Sequence, residues 1–404
     1  MNLFLNFFGK TKDIKLLNLL HILNDGSKVG LVILLPFIAK DLHINLIQVG
    51  LLGTILNVCL ILFAIPAGYF STRIGGFKTL LIALLFYALG YFATGFVSSY
   101  VNLFCTFFIA GIGFGMFHPI ALILLTEWVD KRTRGREMGN FTALGDIGTV
   151  GIPIILVFLI PFFGWRSVAL SFGILMGLVC IFLYKRQPAK KEEYVSSKQK
   201  QVKSFFWFLK HKQFLLVAAV GGLDAFASGS LFIFLPFFLL RKGISSETLG
   251  MFAAVFFIGS FIGKAFLGRF VDTFGNKKVF ILSELSMAIL IILLTQVNSF
   301  ILIMVIAVIL GGFTKGTAPV SATMLSDVID KEGHAEKAFG INGVLQGVAI
   351  SISPALLGVI SDKFSIIIAF YTMAFVAVCA AIPAIFLTKY ESKVLVTEEL
   401  KRVG

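Results

Sequence analysis

Gly68-Tyr69-Phe70-Ser71-Thr72-Arg73-Ile74-Gly75-Gly76-Phe77-Lys78 returns two hundred residues later as Gly268-Arg269-Phe270-Val271-Asp272-Thr273-Phe274-Gly275-Asn276-Lys277-Lys278. The same offset relates Leu35-Pro36-Phe37 to Leu235-Pro236-Phe237, and Ile44 and Gly50 to Ile244 and Gly250. Further along it relates Gly111 and Pro119 to Gly311 and Pro319, and Asp130-Lys131 to Asp330-Lys331. The repeated unit is intensely apolar. Parallel duplication of a multi-helix membrane unit builds many secondary transporters, with the substrate site between the copies. Transport is therefore the first expectation.

Composition points the same way. The chain has 404 residues, is 58% hydrophobic with a mean hydropathy of +0.95, and is only 14% charged. A soluble domain cannot hide that much apolar surface. About 20 apolar residues cross a bilayer as a helix. Twelve such runs are present, at roughly 14–38, 47–70, 78–97, 101–126, 140–163, 167–184, 213–239, 247–270, 279–297, 299–325, 339–361 and 365–388. The expected fold is an all-α membrane protein of twelve transmembrane helices in two pseudo-symmetric six-helix halves. The expected units are an N-terminal half 1–184, a cytoplasmic linker 185–212, a C-terminal half 213–388 and a cytoplasmic tail 389–404.

The formal net charge of +14 could suggest nucleic acid, but its distribution argues otherwise. Of the 35 Lys and Arg, five (Lys40, Arg166, Arg241, Lys242, Lys363) lie in loops after odd-numbered spans. Lys28, Lys264 and Lys315 lie within spans, and all the others fall on the opposite face. The positive-inside rule then puts both termini in the cytoplasm, with the basic residues facing anionic lipid. The expected location is the cell (inner) membrane, with no nucleic-acid partner. Cys59, Cys105, Cys180 and Cys379 fall inside spans without CxxC spacing, so they read as packing residues and imply no disulfide or zinc site. The first span is too long, and too interrupted by polar residues, for a cleaved signal peptide. Trp128, Trp165 and Trp207 fall at expected membrane interfaces. Gly111, Gly113, Gly115, Gly145, Gly148 and Gly151 would let helices approach closely. No nucleotide-binding loop, metal-ligand set or hydrolase motif is visible, so neither a cofactor nor an enzyme is expected.

The loop Gly268 to Lys278 resembles the signature of the major facilitator superfamily, and the likeness covers essentially the whole chain. The first copy keeps the glycines, Arg73 and Lys78 but has Thr72 in place of the acid. His21-Ile22-Leu23-Asn24-Asp25, Gln48-Val49-Gly50 and Phe117-His118-Pro119 after Gly111-x-Gly-x-Gly look like the fosmidomycin-resistance branch of drug exporters. The fourth span lacks the arginine of many proton-driven antiporters, and Gly145 to Pro153 is a degenerate form of the antiporter motif. The resemblance implies a monomer and a central cavity among spans 1, 4, 7 and 10. It also implies a latch built from Gly268, Arg269, Asp272, Gly275, Lys277, Lys278 and, in the first copy, Arg73. The loop acid would meet the N-terminus of span 11, a charge against a helix dipole.

Ionisable groups mid-span usually face a cavity or a partner. Each of the four expected cavity spans carries one: Asp25, His118, Asp224 and Lys315. Asp25 suits proton uptake and release; the plain alternative is an ion pair with Lys28, or with another helix. His118 can change charge near neutral pH, or simply pack between helices. Asp224 matches Asn24 in the repeat, and its expected partner is Lys315 or Lys264. That cluster reads either as an anion site or as a structural salt bridge. Lys264, Asp146, Gln346, Asn342 and Asn57 follow, while Glu127, Asp130, Asp327 and Asp330 are expected to pair with neighbouring loops. The leading expectation is export of a small amphiphilic or anionic compound in exchange for protons. Proton-coupled metabolite uptake is the alternative, and a lipid flippase or a sensor on the same scaffold is the third.

Overall fold

The computed structural model describes residues 11–129, 134–186, 188, 208, 210–329 and 335–388, without the side chains of 134–136, 272 and 335–337. Most of the expected linker, the 389–404 tail, Trp207, Asp130, Lys131, Asp330 and Lys331 lie outside the described residues. The N-terminal half begins with α1 (Lys12–Leu42), α2 (Leu46–Ile74), α3 (Gly76–Thr94) and α4 (Tyr100–Trp128). The element Arg134–Tyr184 follows, 51 residues long. As one rod it would reach about 75 Å, more than twice the hydrocarbon thickness. It turns instead at Gly164, whose φ of 74° and ψ of 153° suit a residue without a Cβ. It is therefore two crossings, α5 (134–163) and α6 (165–184).

The C-terminal half repeats the plan. Helix α7 spans Lys212–Arg241 with a break at Ser230. Then come α8 (Leu249–Phe274), α9 (Asn276–Gln296), α10 (Phe300–Ile329), α11 (Ala335–Lys363) and α12 (Ile366–Ile385). The twelve expected spans are all present, each within a few residues of its expected bounds. The repeat is legible in backbone detail: Gly75 (φ 94°) separates α2 from α3 as Gly275 (φ 81°) separates α8 from α9. Side-chain caps start several helices. Asn45 and Gln48 exchange hydrogen bonds of 2.9 Å at the head of α2, and Ser99 and Ser365 cap α4 and α12.

Polarity is inverted relative to a soluble protein. Ile65 is 84% exposed and Phe375 68%, whereas Asn24 and Glu284 are wholly buried. Exposed apolar surface on this scale requires lipid. Trp128 ends α4, buried against Phe77. Cys105 is exposed rather than packed. Without a hydrophobic drive between helices, close approach depends on small residues. At Gly148, a Cβ would strike the Ile22 backbone of α1.

The halves meet through two contacts related by the repeat, α2 against α11 and α5 against α8. Gly50 lies against Pro354 and Gly358, Thr54 donates to the Ser351 carbonyl at 2.8 Å, and Asn57 donates to the Ile350 carbonyl at 3.0 Å. Gly50 lies five residues after the Asn45 cap and Gly358 five before the end of α11 at Lys363. The bundle is therefore closed at the face bearing the loops after odd-numbered helices.

Candidate functional site

Six charged or ionisable side chains converge mid-bundle on a cavity of about 270 Å3. They are Asp25 and Lys28 from α1, His118 from α4, Asp146 from α5, Lys264 from α8 and Lys315 from α10. Helix α7 contributes Gly229, Phe232 and Ile233, and Asp224 is not among the lining residues. The expectation that Asp224 faces the cavity is thus corrected: α7 lines it with apolar residues, while Asp224 turns to Thr317 of α10.

On the N-terminal side the acid is held by two imidazoles. Asp25 Oδ2 lies 3.1 Å from His21 Nε2 and Oδ1 lies 3.2 Å from His118 Nε2. Asn24 donates to Oδ1 at 2.8 Å. Lys28 is not the partner of Asp25, contrary to the simplest sequence reading. Residues 21 and 25 are one helical turn apart, which places both on one face of α1. His21 is stacked on Phe141, with centroids 3.8 Å apart, and its Nδ1 lies 2.8 Å from the Phe141 carbonyl oxygen. That oxygen only accepts, so Nδ1 carries hydrogen. A neutral His21 would then turn a bare Nε2 lone pair toward the carboxyl. The contact is satisfied only when a further proton sits between His21 and Asp25. Space for the ring comes from Gly145 on α5, where a Cβ would lie 2.5 Å from His21 Cε1 and 2.8 Å from Asp25 Oδ2. The three ligand atoms lie within 4.8 Å of one another, and two imidazoles with a carboxylate are also a donor set for a divalent metal. Proton-bridged contacts account for the distances seen here.

The lysines divide. Lys264 pairs with Asp146 across the two halves, at 2.8 and 2.9 Å. Lys264, one of the two partners expected for Asp224, is thus taken by Asp146. Lys28 instead lies over the Phe114 ring, 3.8 Å from its centroid. Among the described residues, neither Lys28 nor Lys315 is in an ion pair. Both are half-buried lysines next to open space.

Asp224 lies behind the cavity wall. It accepts from Thr317 of α10 at 3.0 Å and is within hydrogen-bonding reach of Glu284 of α9. Glu284 and His21 are site residues that sequence reasoning missed. For Glu284 the signal was available, an acid in the middle of the ninth span. Asn24 and Gln346 also lie off the cavity, and Gln346 packs its amide on Gly221. Asn342 is buried, and Asn57 both lines the cavity and bridges the halves.

The loop signature is only partly visible. Gly275 provides the positive φ, and Lys277 Nζ donates to the carbonyls of Ile385 and Leu387. Asn276 donates to Asp327, while Arg73 lies over the Tyr69 ring at 4.4 Å. The side chain of Asp272, the expected latch, lies outside the described residues. Gly268, Arg269 and Lys278 sit on the same α8–α9 corner.

A twelve-helix duplicated bundle with charged groups converging between its halves defines a membrane transporter. The chain belongs to the Major Facilitator Superfamily, which it matches over residues 17–248 and 217–402. It is 25% identical to a putative metabolite transport protein of Haemophilus influenzae over 88% of this chain and 90% of that protein. It is 22% identical to the cis,cis-muconate transport protein of Acinetobacter baylyi, over 91% and 92% of the two chains. It is 26% identical to the hexuronate transporter of Bacillus subtilis, over 88% and 89%. A bacterial homologue of the human lysosomal transporter Spinster, in an inward-facing and occupied conformation, shares the fold. Its TM-score is 0.73 at 16% identity, over 92% of this chain and 95% of that one. The family is one of transporters, not enzymes, and the chain crosses a membrane many times.

Proposed function

We propose that this protein carries a small organic anion across the membrane together with a proton. The observation that carries this reading is the pair Lys28 and Lys315, cavity cations without a carboxylate partner among the described residues. A charge partly withdrawn from water without a counter-ion is costly, and an anionic substrate would supply one. The cavity volume suits a small molecule, and the relatives named for cis,cis-muconate and hexuronate are named for carboxylates.

The proton belongs to the His21–Asp25–His118 cluster. Adding it makes the cavity more positive and so favours the anion. Linkage is reciprocal, so a bound anion favours the proton equally. Two species that strengthen each other's binding cross together. Exchange would require them to displace one another. This moves the balance from export to symport. Export in exchange for protons is the second reading, because the residues resembling the fosmidomycin-resistance branch are those that build this cluster.

The halves 1–184 and 213–388 are the bodies that rock about the cavity, joined through 185–212, and the 268–278 corner gates the movement. The monomer is the transporting unit. Both termini face the cytoplasm of a cell whose inner membrane holds the protein, as the charge bias favours.

The test is accumulation in proteoliposomes under an imposed pH gradient, using labelled cis,cis-muconate, glucuronate and nicotinate as probes. An acidic exterior should drive at least one carboxylate inward. Lys28→Met and Lys315→Met should each lower its affinity by about 10- to 100-fold, the loss of one charged contact. Accumulation only when the lumen is the acidic side would establish exchange. Transport of lipophilic cations with no carboxylate transported would overturn the anion reading.

A further inference from the structure

The C-terminal half buries two acids that the cavity does not use. Glu284 is wholly buried in the middle of α9, and Asp224 is nearly so on α7. Neither lines the cavity. Both Glu284 oxygens and Asp224 Oδ1 find no donor among the hydrogen bonds of the structure. The two carboxyls nevertheless lie within hydrogen-bonding reach of each other. Two ionised carboxylates cannot share such a space, whereas a carboxyl donating to a carboxylate satisfies both.

The surroundings say which partner keeps the charge. Asp224 accepts the Thr317 hydroxyl at 3.0 Å, is in reach of Ser228, and feels the Lys315 ammonium from α10. Among the described residues Glu284 has no donor other than a proton of its own, and no other charge faces the pair. Helix α12 carries no charged residue, α11 carries charges only at its ends, and Lys264 of α8 is paired with Asp146. Lys315, the cation that acts on Asp224 among the described residues, also lines the cavity.

We propose that Asp224 and Glu284 form a second proton-binding site, with one proton on Glu284 bridging to Asp224, linked to the cavity through Lys315. The inference stands on the packing of these side chains and not on the identity or direction of the transported compound. Its chemistry is a proton shared between two carboxyls. An anion seated on Lys315 withdraws the positive field that supports ionised Asp224, so the proton at the pair responds to cavity occupancy without touching the occupant.

Infrared spectroscopy of the purified full chain across pH tests this, in an Asp25→Asn background that removes the cavity carboxyl not paired with a lysine. At neutral pH the parent should show a protonated-carboxyl carbonyl band, which Glu284→Gln loses. Asp224→Asn should keep the band but shift it, because the proton no longer meets a carboxylate. Lys315→Met should displace the pH at which the band disappears. A band unaltered by Glu284→Gln, or no such band in the parent, would overturn the site. A midpoint unmoved by Lys315→Met would overturn the link. Glu284→Gln is nearly isosteric, and Asp224→Asn reads the same bridge from its other end should the first variant fold poorly.

Discussion

The two halves share a backbone plan but not a charge plan. Offset by two hundred residues, Asp25 faces Ala225, His118 faces Ala318, Lys315 faces Gly115, Glu284 faces Leu84 and Asp146 faces Gln346. Duplication supplied the helices, and each copy then placed its mid-span ionisable groups where the other has none. The N-terminal half holds its acid in hydrogen bonds to two histidines, open to the cavity. The C-terminal half holds its acids behind the wall and offers a lysine to the cavity. The lesson is that pseudo-symmetry locates the site while asymmetry gives it chemistry. In the proposed reading the N-terminal half alone holds the cavity proton, while each half offers the anion one lysine, Lys28 and Lys315.

The sharpest break in this comparison is Asp25→Asn against Asp224→Asn. The first should abolish pH-driven accumulation in proteoliposomes while leaving exchange of substrate for substrate. The second should leave accumulation measurable with an altered pH profile. Equal losses would mean that the halves are not specialised. Next in size is the pair that joins them. Asp146→Asn leaves Lys264 without a counter-charge and should cost about 3–5 kcal/mol, toward the lower end because Lys264 is partly exposed. Adding Lys264→Met should recover thermal stability, and the double variant's Tm is the readout. Smaller again is Gly145→Ala, which crowds His21 and Asp25 and should cost about 1–3 kcal/mol. It should also weaken proton coupling, which a stability loss alone would not do. Smallest are Gly75→Ala and Gly275→Ala, each about 1–2 kcal/mol for a Cβ at positive φ. Their near equality would confirm that the α2–α3 and α8–α9 corners are equivalent in backbone even though Thr72 replaces the acid in one.

The fold was legible because the bilayer admits few solutions. Runs of about 20 apolar residues, repeated at a fixed offset, leave little besides a duplicated helical bundle. Helix ends ran past the apolar runs, as α2 does at Ile74, since capped and amphipathic turns extend beyond the hydrocarbon. The cavity charges were legible as residue types at mid-span depth. Their pairing was not, because hydropathy gives depth and not azimuth around the helix. Asp25 could be assigned to Lys28 by spacing, yet the nearer partners are His21 on its own face and His118 from α4. Asp224 was placed in the cavity by its helix number, yet the α7 residues that line it are Gly229, Phe232 and Ile233. His21 gave a signal as part of a motif but not as a proton holder. The proposed role depends on the Phe141 carbonyl, more than a hundred residues away.

The central claim is that proton and anion bind together. Calorimetric titration of the purified chain with the tightest-binding carboxylate, in buffers of differing ionisation enthalpy, counts the protons that accompany binding. Net proton uptake, lost in Asp25→Asn, is the predicted result. Net proton release on anion binding would contradict the account and make the protein an exchanger.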